Sequence, residues 1–314
     1  RAGQQHSQRL RHAIPNVATK QYTLQPKERK PMARVVRVVP QDVQELLDKL
    51  RDSRRTGNRI DEAWAIANIG RYHRIKDQPV DAFKHLAEAQ AIFQEHEDIE
   101  GMAWVRREQA KVLMTAAEYD QAEQLLLLAL TLHERLNSLH EQAFDLIELG
   151  NIARFRKQFD KAIACLTRAL ALARKANDPL MVAYALHDIG ILEHWRGNPA
   201  QALPILEVAL HQYWQTGEAS GVAAALADLG AVAIDLKEYE QAEDYLSRAI
   251  LAFEAEKEGR AVALCYLNFA QLHQARGDTD AARAATQKGD AMFKAIGAPL
   301  PPFGVSLKQE LGLV

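Results

Sequence analysis

Small side chains recur every 40 residues along this chain of 314 residues, and no other feature constrains its fold as much. One register reads Gly70, Ala110, Gly150, Gly190, Gly230 and Ala270. A second reads Ala82, Ala122, Ala162, Ala202, Ala242 and Ala282, and a third Ala89, Ala129, Ala169, Ala209, Ala249 and Gly289. In the fourth, Ala63, Ala103, Ala143, Ala183, Ala223 and Ala263, alanine stands six times out of six. All twenty-four positions hold Gly or Ala, and a fixed period of this length marks stacked repeats. Interaxial distances of about 8–10 Å depend on the side chains at the contact, and small residues allow the closest approach.

The residues between these anchors keep helical spacing. In the third copy Leu146, Leu149, Gly150 and Ala153 share one face, and Phe159, Ala162, Leu166, Ala169 and Leu170 share another. Each copy is therefore two packed helices. Polar turns precede the second helices, as at Asp77-Gln78-Pro79, Gly197-Asn198-Pro199 and Gly277-Asp278-Thr279. Pro79 and Pro199 suit the first helical position, and Asn198 and Asp278 are good N-caps. Pro204 falls inside its helix and is expected to bend it locally.

This hairpin resembles the tetratricopeptide repeat, which has Gly/Ala at its eighth and twenty-seventh positions and Ala at its twentieth. An aromatic before the second helix (Tyr119, Phe159, Tyr239) fits as well. The period is 40 rather than the family's usual 34, so longer helices are expected. The family's closing proline is absent, and copy two carries Arg106 and Gln109 where packed hydrophobics belong. The resemblance implies an all-α, right-handed α-solenoid of six helical hairpins with flanking cap helices. It also implies a role in regulatory scaffolds or in the sensor arms of bacterial signalling ATPases.

The expected domains follow from the period and from charge. Residues 1–40 read as a basic linker or arm, 41–298 as the solenoid and 299–314 as a C-terminal cap segment. Within the solenoid, 41–57 form a half repeat and 58–298 the six full repeats. The arm holds nine Lys/Arg against one acid, a net of +8. That leaves thirty bases and forty acids for the rest, a net of −10. The chain starts at Arg1 rather than Met, so the arm could connect to an upstream domain. No secretory signal and no apolar run of about 18 residues is present, which points to the cytoplasm and away from membranes.

The resemblance assigns the first helices to the inner wall. One step after each conserved alanine come Trp64, Trp104, Phe144 and Tyr184, an aromatic stripe. Four further lie Asn68, Glu108, Glu148, Asp188, Asp228 and Asn268, and beyond those Arg71 and Lys111, with Arg107 and His187 alongside. One reading is a groove for a protein or peptide partner with a basic segment, drawn by an acidic ladder from Glu108 to Asp228. The other is that these polar groups bond adjacent helices and stabilise the stack, while the aromatics pack at helix starts. The Lys/Asn clamp by which some family members hold a carboxylate is absent, since the matching pairs are Ala67/Arg71, Arg107/Lys111, Ile147/Asn151 and His187/Ile191. The arm could also dock into the acidic body of its own chain.

Catalytic motifs are missing: no phosphate-binding loop, dinucleotide fingerprint, H-E-x-x-H or nucleophile elbow occurs. His187 and His194 are seven apart, where paired metal ligands on a helix prefer four. Cys165 and Cys265 sit among core residues and read as small hydrophobes. No enzyme, cofactor or metal is expected, and an acidic body would repel nucleic acid. The function read from the sequence is a non-enzymatic protein-interaction module. The alternative is a ligand- or protein-sensing arm of a larger signalling ATPase or transcription regulator.

Overall fold

The computed structural model describes residues 43–313, so the basic arm, and any docking of it, lies outside the described residues. Fourteen helices and no strand occur among them. They belong to two compact units, 43–156 and 157–313. The first holds α1 (Val43–Thr56), α2 (Arg59–Ile75), α3 (Pro79–Glu95), α4 (Ile99–Thr115), α5 (Tyr119–Arg135) and α6 (Leu139–Phe155). The second holds α7 (Phe159–Lys175), α8 (Pro179–Trp195), α9 (Pro199–Thr216), α10 (Ala219–Asp235), α11 (Tyr239–Ala255), α12 (Gly259–Arg276), α13 (Thr279–Ala295) and α14 (Pro302–Glu310). Helices α2 to α5 form two pairs and α8 to α13 three pairs of an α-solenoid; α6 ends the first unit and α7 begins the second, while α1 precedes α2 and α14 follows α13.

Each of α2 to α13 runs 17 or 18 residues, and a break of two or three residues separates each from the next, except that six precede α14. The break contains a left-handed residue every 20 positions: Gly57, Asp77, Glu97, Ala117, Asn137, Lys157, Asn177, Gly197, Gly217, Lys237, Lys257, Gly277 and Gly297. In these turns an amide beyond the helix reaches back to its last carbonyls, as in Gln78 N to His73 O at 2.9 Å and Asp77 N to Arg74 O at 3.1 Å. Those bonds satisfy carbonyls that would otherwise be orphaned, which offsets the cost of about 1–2 kcal/mol for a side chain in the left-handed region. Eight of these turn residues are not glycine, so composition alone does not mark the turn.

Starts are equally regular. Pro79, Pro179 and Pro199 occupy the first turn, and Asn58, Asp98, Asp178 and Asp278 accept an amide from three residues on. Asn198 stands at the N-cap of α9 but makes no capping bond; its amide instead donates to Glu193 at 2.9 Å. The helix continues past Pro204, which lies on its exposed side.

The small registers are where helices touch. The alanines at 63, 103, 143, 183, 223 and 263 are fully buried, as are those at 82, 122, 162, 202, 242 and 282. A Cβ at Gly70 would come within 2.8 Å of Leu86, and one at Gly190 or Gly230 within 2.6 Å of Leu206 or Leu246. Those leucines, with Leu126 and Leu166, form one register of wholly buried side chains, each worth about 1.5–3 kcal/mol of burial. Successive pairs meet by the same device: Phe93 lies on Gly101 in the first unit and Tyr213 on Gly221 in the second, with no room for a Cβ. In the last pair Thr286 replaces the leucine, and its hydroxyl donates to Ala282 O at 2.8 Å. Leu307 and Leu311 at α14 are buried while Val305 is exposed.

Candidate functional site

In the first unit the first helices of the pairs are α2, α4 and α6. Trp64 and Trp104 are half-buried and meet edge to face at 5.6 Å, and Trp64 also meets Phe93 at 5.1 Å. Phe144 carries two cations over its ring, Arg107 at 4.7 Å and Lys111 at 5.0 Å. Asn68 spends its amide on Trp64 O of its own helix, at 2.7 Å. Glu108 is buried and accepts from Arg74 at 2.9 Å, and Glu148 pairs with Lys111 at 3.1 Å. Burial alone would raise the Glu108 carboxyl, but Lys111, Arg74 and Arg71 around it hold it below the usual carboxylate range. The two first-unit acids of the expected ladder are therefore bridges between adjacent first helices, each matched by a cation.

Arg107 points inward. Its side chain is 5% exposed and donates to Asp145 at 2.6 Å and Glu141 at 2.5 Å. His133 on α5 completes the cluster, its Nδ1 lying 2.6 Å from Asp145, and Gln142 donates to His133 O at 3.1 Å. Since the carboxylate can only accept, Nδ1 carries the proton, and the 3.3 Å approach of Arg107 to that nitrogen is packing rather than a hydrogen bond. Burial works against the Arg107 charge, yet Asp145 and Glu141 outweigh it and hold the guanidinium more firmly protonated than usual. Sequence reasoning placed Arg107 on the wall and passed over His133, Glu141 and Asp145. A signal existed: the register of His133 holds Phe93, Ala173, Tyr213, Phe253 and Phe293, and that of Asp145 holds Ala65, Val105, Ala185, Ala225 and Cys265. Polar residues in apolar registers announce a buried pair.

In the second unit the first helices are α8, α10 and α12. Tyr184 is half-buried against Tyr213, with ring centroids 5.4 Å apart. His187 Nε2 lies 2.9 Å from Asp228, and one row along the same two helices His194 Nε2 lies 2.7 Å from Asp235. The buried Tyr213 hydroxyl is 3.5 Å from His187 Nδ1. Burial, reinforced by Asp188 and other nearby groups, raises the Tyr213 hydroxyl far beyond the range in which a phenol ionises, so it stays neutral and keeps a proton to donate. Asp188 and Asn268 are half-buried on the same helices, as are Ala224, Ala227 and Ala231 of α10. Cys265 is buried, its thiol pushed up to about 12 by burial and then by Asp228, which suits a core residue; Cys165 is half-buried. Among the described residues no group of three or more His, Cys, Asp or Glu could hold a metal, and His187 and His194 each serve a different aspartate.

These features define a helical-repeat protein with polar, partly aromatic first-helix faces. The model of the tetratricopeptide repeat matches residues 146–213 and 221–294, and the repeats within those two segments are tetratricopeptide repeats. Comparison with curated proteins returns no match. Among solved structures the chain is similar to aspartyl phosphate phosphatase F from Bacillus subtilis, with TM-score 0.66 and 15% identity over 82% of this chain and 67% of that one. It is similar also to a Rap protein complexed with competence and sporulation factor, with TM-score 0.63 and 14% identity over 85% and 78%. A third is a Signal Transduction ATPase with Numerous Domains from Pyrococcus horikoshii that has a tetratricopeptide repeat sensor, with TM-score 0.59 and 17% identity over 83% and 42%. At these identities the likeness shows the fold. No helix among the described residues is long and apolar enough to cross a membrane.

Proposed function

We propose that this chain is a non-enzymatic interaction module whose first-helix faces receive a peptide or helix of a partner protein. One observation supports the reading above others. At the same wall registers the side chains stay half-buried (Trp64, Trp104 and Phe144 in the first unit; Tyr184, Asp188, Asp228 and Asn268 in the second), neither sealed in the core nor on open surface. Aromatic and charged groups held this way suit recognition, because their rotamers are ordered before a partner arrives. The Rap protein complexed with a peptide factor is a fold-level precedent. The net of −10 outside the arm favours a basic partner segment, and the +8 arm of this same chain is a candidate for that role.

The test is capture from an extract of the source cells by the whole chain, beside a Tyr184→Ala/Asp188→Lys variant with the same melting curve. A partner retained by the wild type at about 0.05 M salt is expected to be lost from the variant and to be released as salt screens the charges. Equal capture by both proteins, or indifference to salt, overturns the reading. A second reading, a sensing arm of a larger signalling ATPase or transcription regulator, draws on the similarity to the Pyrococcus horikoshii protein, of which this chain covers 42%. The gene encoding this chain decides it: a nucleotide-binding or DNA-binding domain is either contiguous with the repeats or not.

A further inference from the structure

We propose that the cleft formed by α8, α10 and α12 is a subsite for the guanidinium of an arginine side chain on the partner segment. The proposal rests on the partner-binding reading above and adds a position and a chemistry to it. The cleft has a volume of about 390 Å³, and its polar lining is His194, Asp235, Gln271 and Gln274 over a floor that includes Ala231 and Ile234.

The one carboxylate in its lining is Asp235. A carboxylate only accepts, so the 2.7 Å contact puts a proton on His194 Nε2 and occupies one oxygen of Asp235. The Asp235 side chain is 57% exposed, and its one ion-pair partner among the described residues is this histidine. Gln274 already gives an amide hydrogen to Glu310 at 3.0 Å, so its carbonyl is the more available end. The cleft thus offers the second oxygen of Asp235 beside two glutamine amides whose carbonyls can accept. A guanidinium supplies five donors in one plane and no acceptor, and its weak hydration makes it the cheaper cation to bring against an apolar floor. A lysine ammonium is a compact, strongly hydrated charge and matches fewer of these acceptors. The first-unit acids offer nothing comparable, because Arg74 and Lys111 of the chain itself already occupy Glu108 and Glu148.

The experiment measures binding of fluorescent nona-arginine and nona-lysine peptides to the whole chain by anisotropy at low salt. Asp235→Asn is compared with Glu254→Gln, which removes one charge from an exposed position on α11. The expected result is tighter binding of the arginine peptide, weakened about tenfold by Asp235→Asn and less than about twofold by Glu254→Gln. Melting curves confirm that both variants are folded. The proposal is overturned if the wild type does not bind the arginine peptide, if the lysine peptide binds as well, or if the two variants behave alike. Its failure is separable from that of the wider reading. Partner capture lost in Tyr184→Ala/Asp188→Lys with no effect of Asp235→Asn keeps the interaction surface and removes the subsite, and the opposite pattern keeps the subsite alone.

Discussion

The two units are built on the same registers and fill them with different chemistry. The first buries nine polar or charged side chains among the described residues: Ser53, Glu62, Arg107, Glu108, Gln109, His133, Gln142, Asp145 and Arg154. The second buries three, His187, Glu193 and Thr286. The contrast is sharpest in one register, which reads Ala67, Arg107 and Ile147 in the first unit and His187, Ala227 and Leu267 in the second. Alanine and leucine need nothing there. Arginine needs two acids, Glu141 and Asp145, and histidine needs Asp228 with the Tyr213 hydroxyl. The hairpin geometry thus tolerates any of these residues, provided neighbouring helices supply the complementary group. The first unit pairs Glu108 and Glu148 with its own cations, while Asp235 in the second pairs with a histidine and stays more than half exposed.

The largest expected effect tests that dependence. Arg107→Ala leaves the buried Asp145 and the half-buried Glu141 without their shared cation and should destabilise the first unit by about 3–5 kcal/mol. Trp64 and Trp104 lie in the first unit and Trp195 and Trp214 in the second, so urea unfolding of a Trp195→Phe/Trp214→Phe background reads the first unit by fluorescence. A loss under about 1 kcal/mol would mean that the cluster contributes little and that the contrast is one of composition only.

A shared feature should behave alike in both units. Gly70→Val and Gly230→Val drive a side chain into Leu86 and Leu246, at about 1–3 kcal/mol each. Unequal costs, with the second unit read in a Trp64→Phe/Trp104→Phe background, would show that the units differ in packing as well as charge. His187→Ala comes next at about 1 kcal/mol, far below Arg107→Ala, because Asp228 is 40% exposed and water replaces its partner.

Acid gives the smallest effect and opposite signs. Glu108 and Glu141 in the first unit are desolvated, but their cations hold them below the ordinary 4.5. The stability they contribute is complete above 4.5 and is lost as pH falls through their depressed values. Glu207 in the second unit is raised, by burial and then by Glu238 despite the Tyr245 hydroxyl, so that unit gains as pH falls toward 4.5. Urea midpoints between pH 6 and pH 4 should therefore fall for the first unit while the second holds or rises, and parallel curves would contradict this.

Much of the architecture was legible from spacing. The 40-residue period, the proline starts and the wholly small contact positions have local causes: a helix packs closely only where side chains are small, and proline is best accommodated in the first turn. The finer 20-residue beat of left-handed turns was not, because residues as unlike as Asp77, Ala117 and Lys157 occupy it. Their conformation is set by backbone hydrogen bonds at the helix ends, which every residue type can make.

The candidate site divides along the same line. Which residues lie along the first helices is a matter of period, and the sequence by itself determined it. Which of them remain available to a partner was decided only by the tertiary structure. A charge is available or spent according to what lies within about 3 Å of it, and for Glu108, Glu148 and Arg107 that neighbour sits 34 to 38 residues away along the chain. Hydrogen bonds and ion pairs act over distances in space, and only folding turns a separation of nearly one repeat into contact.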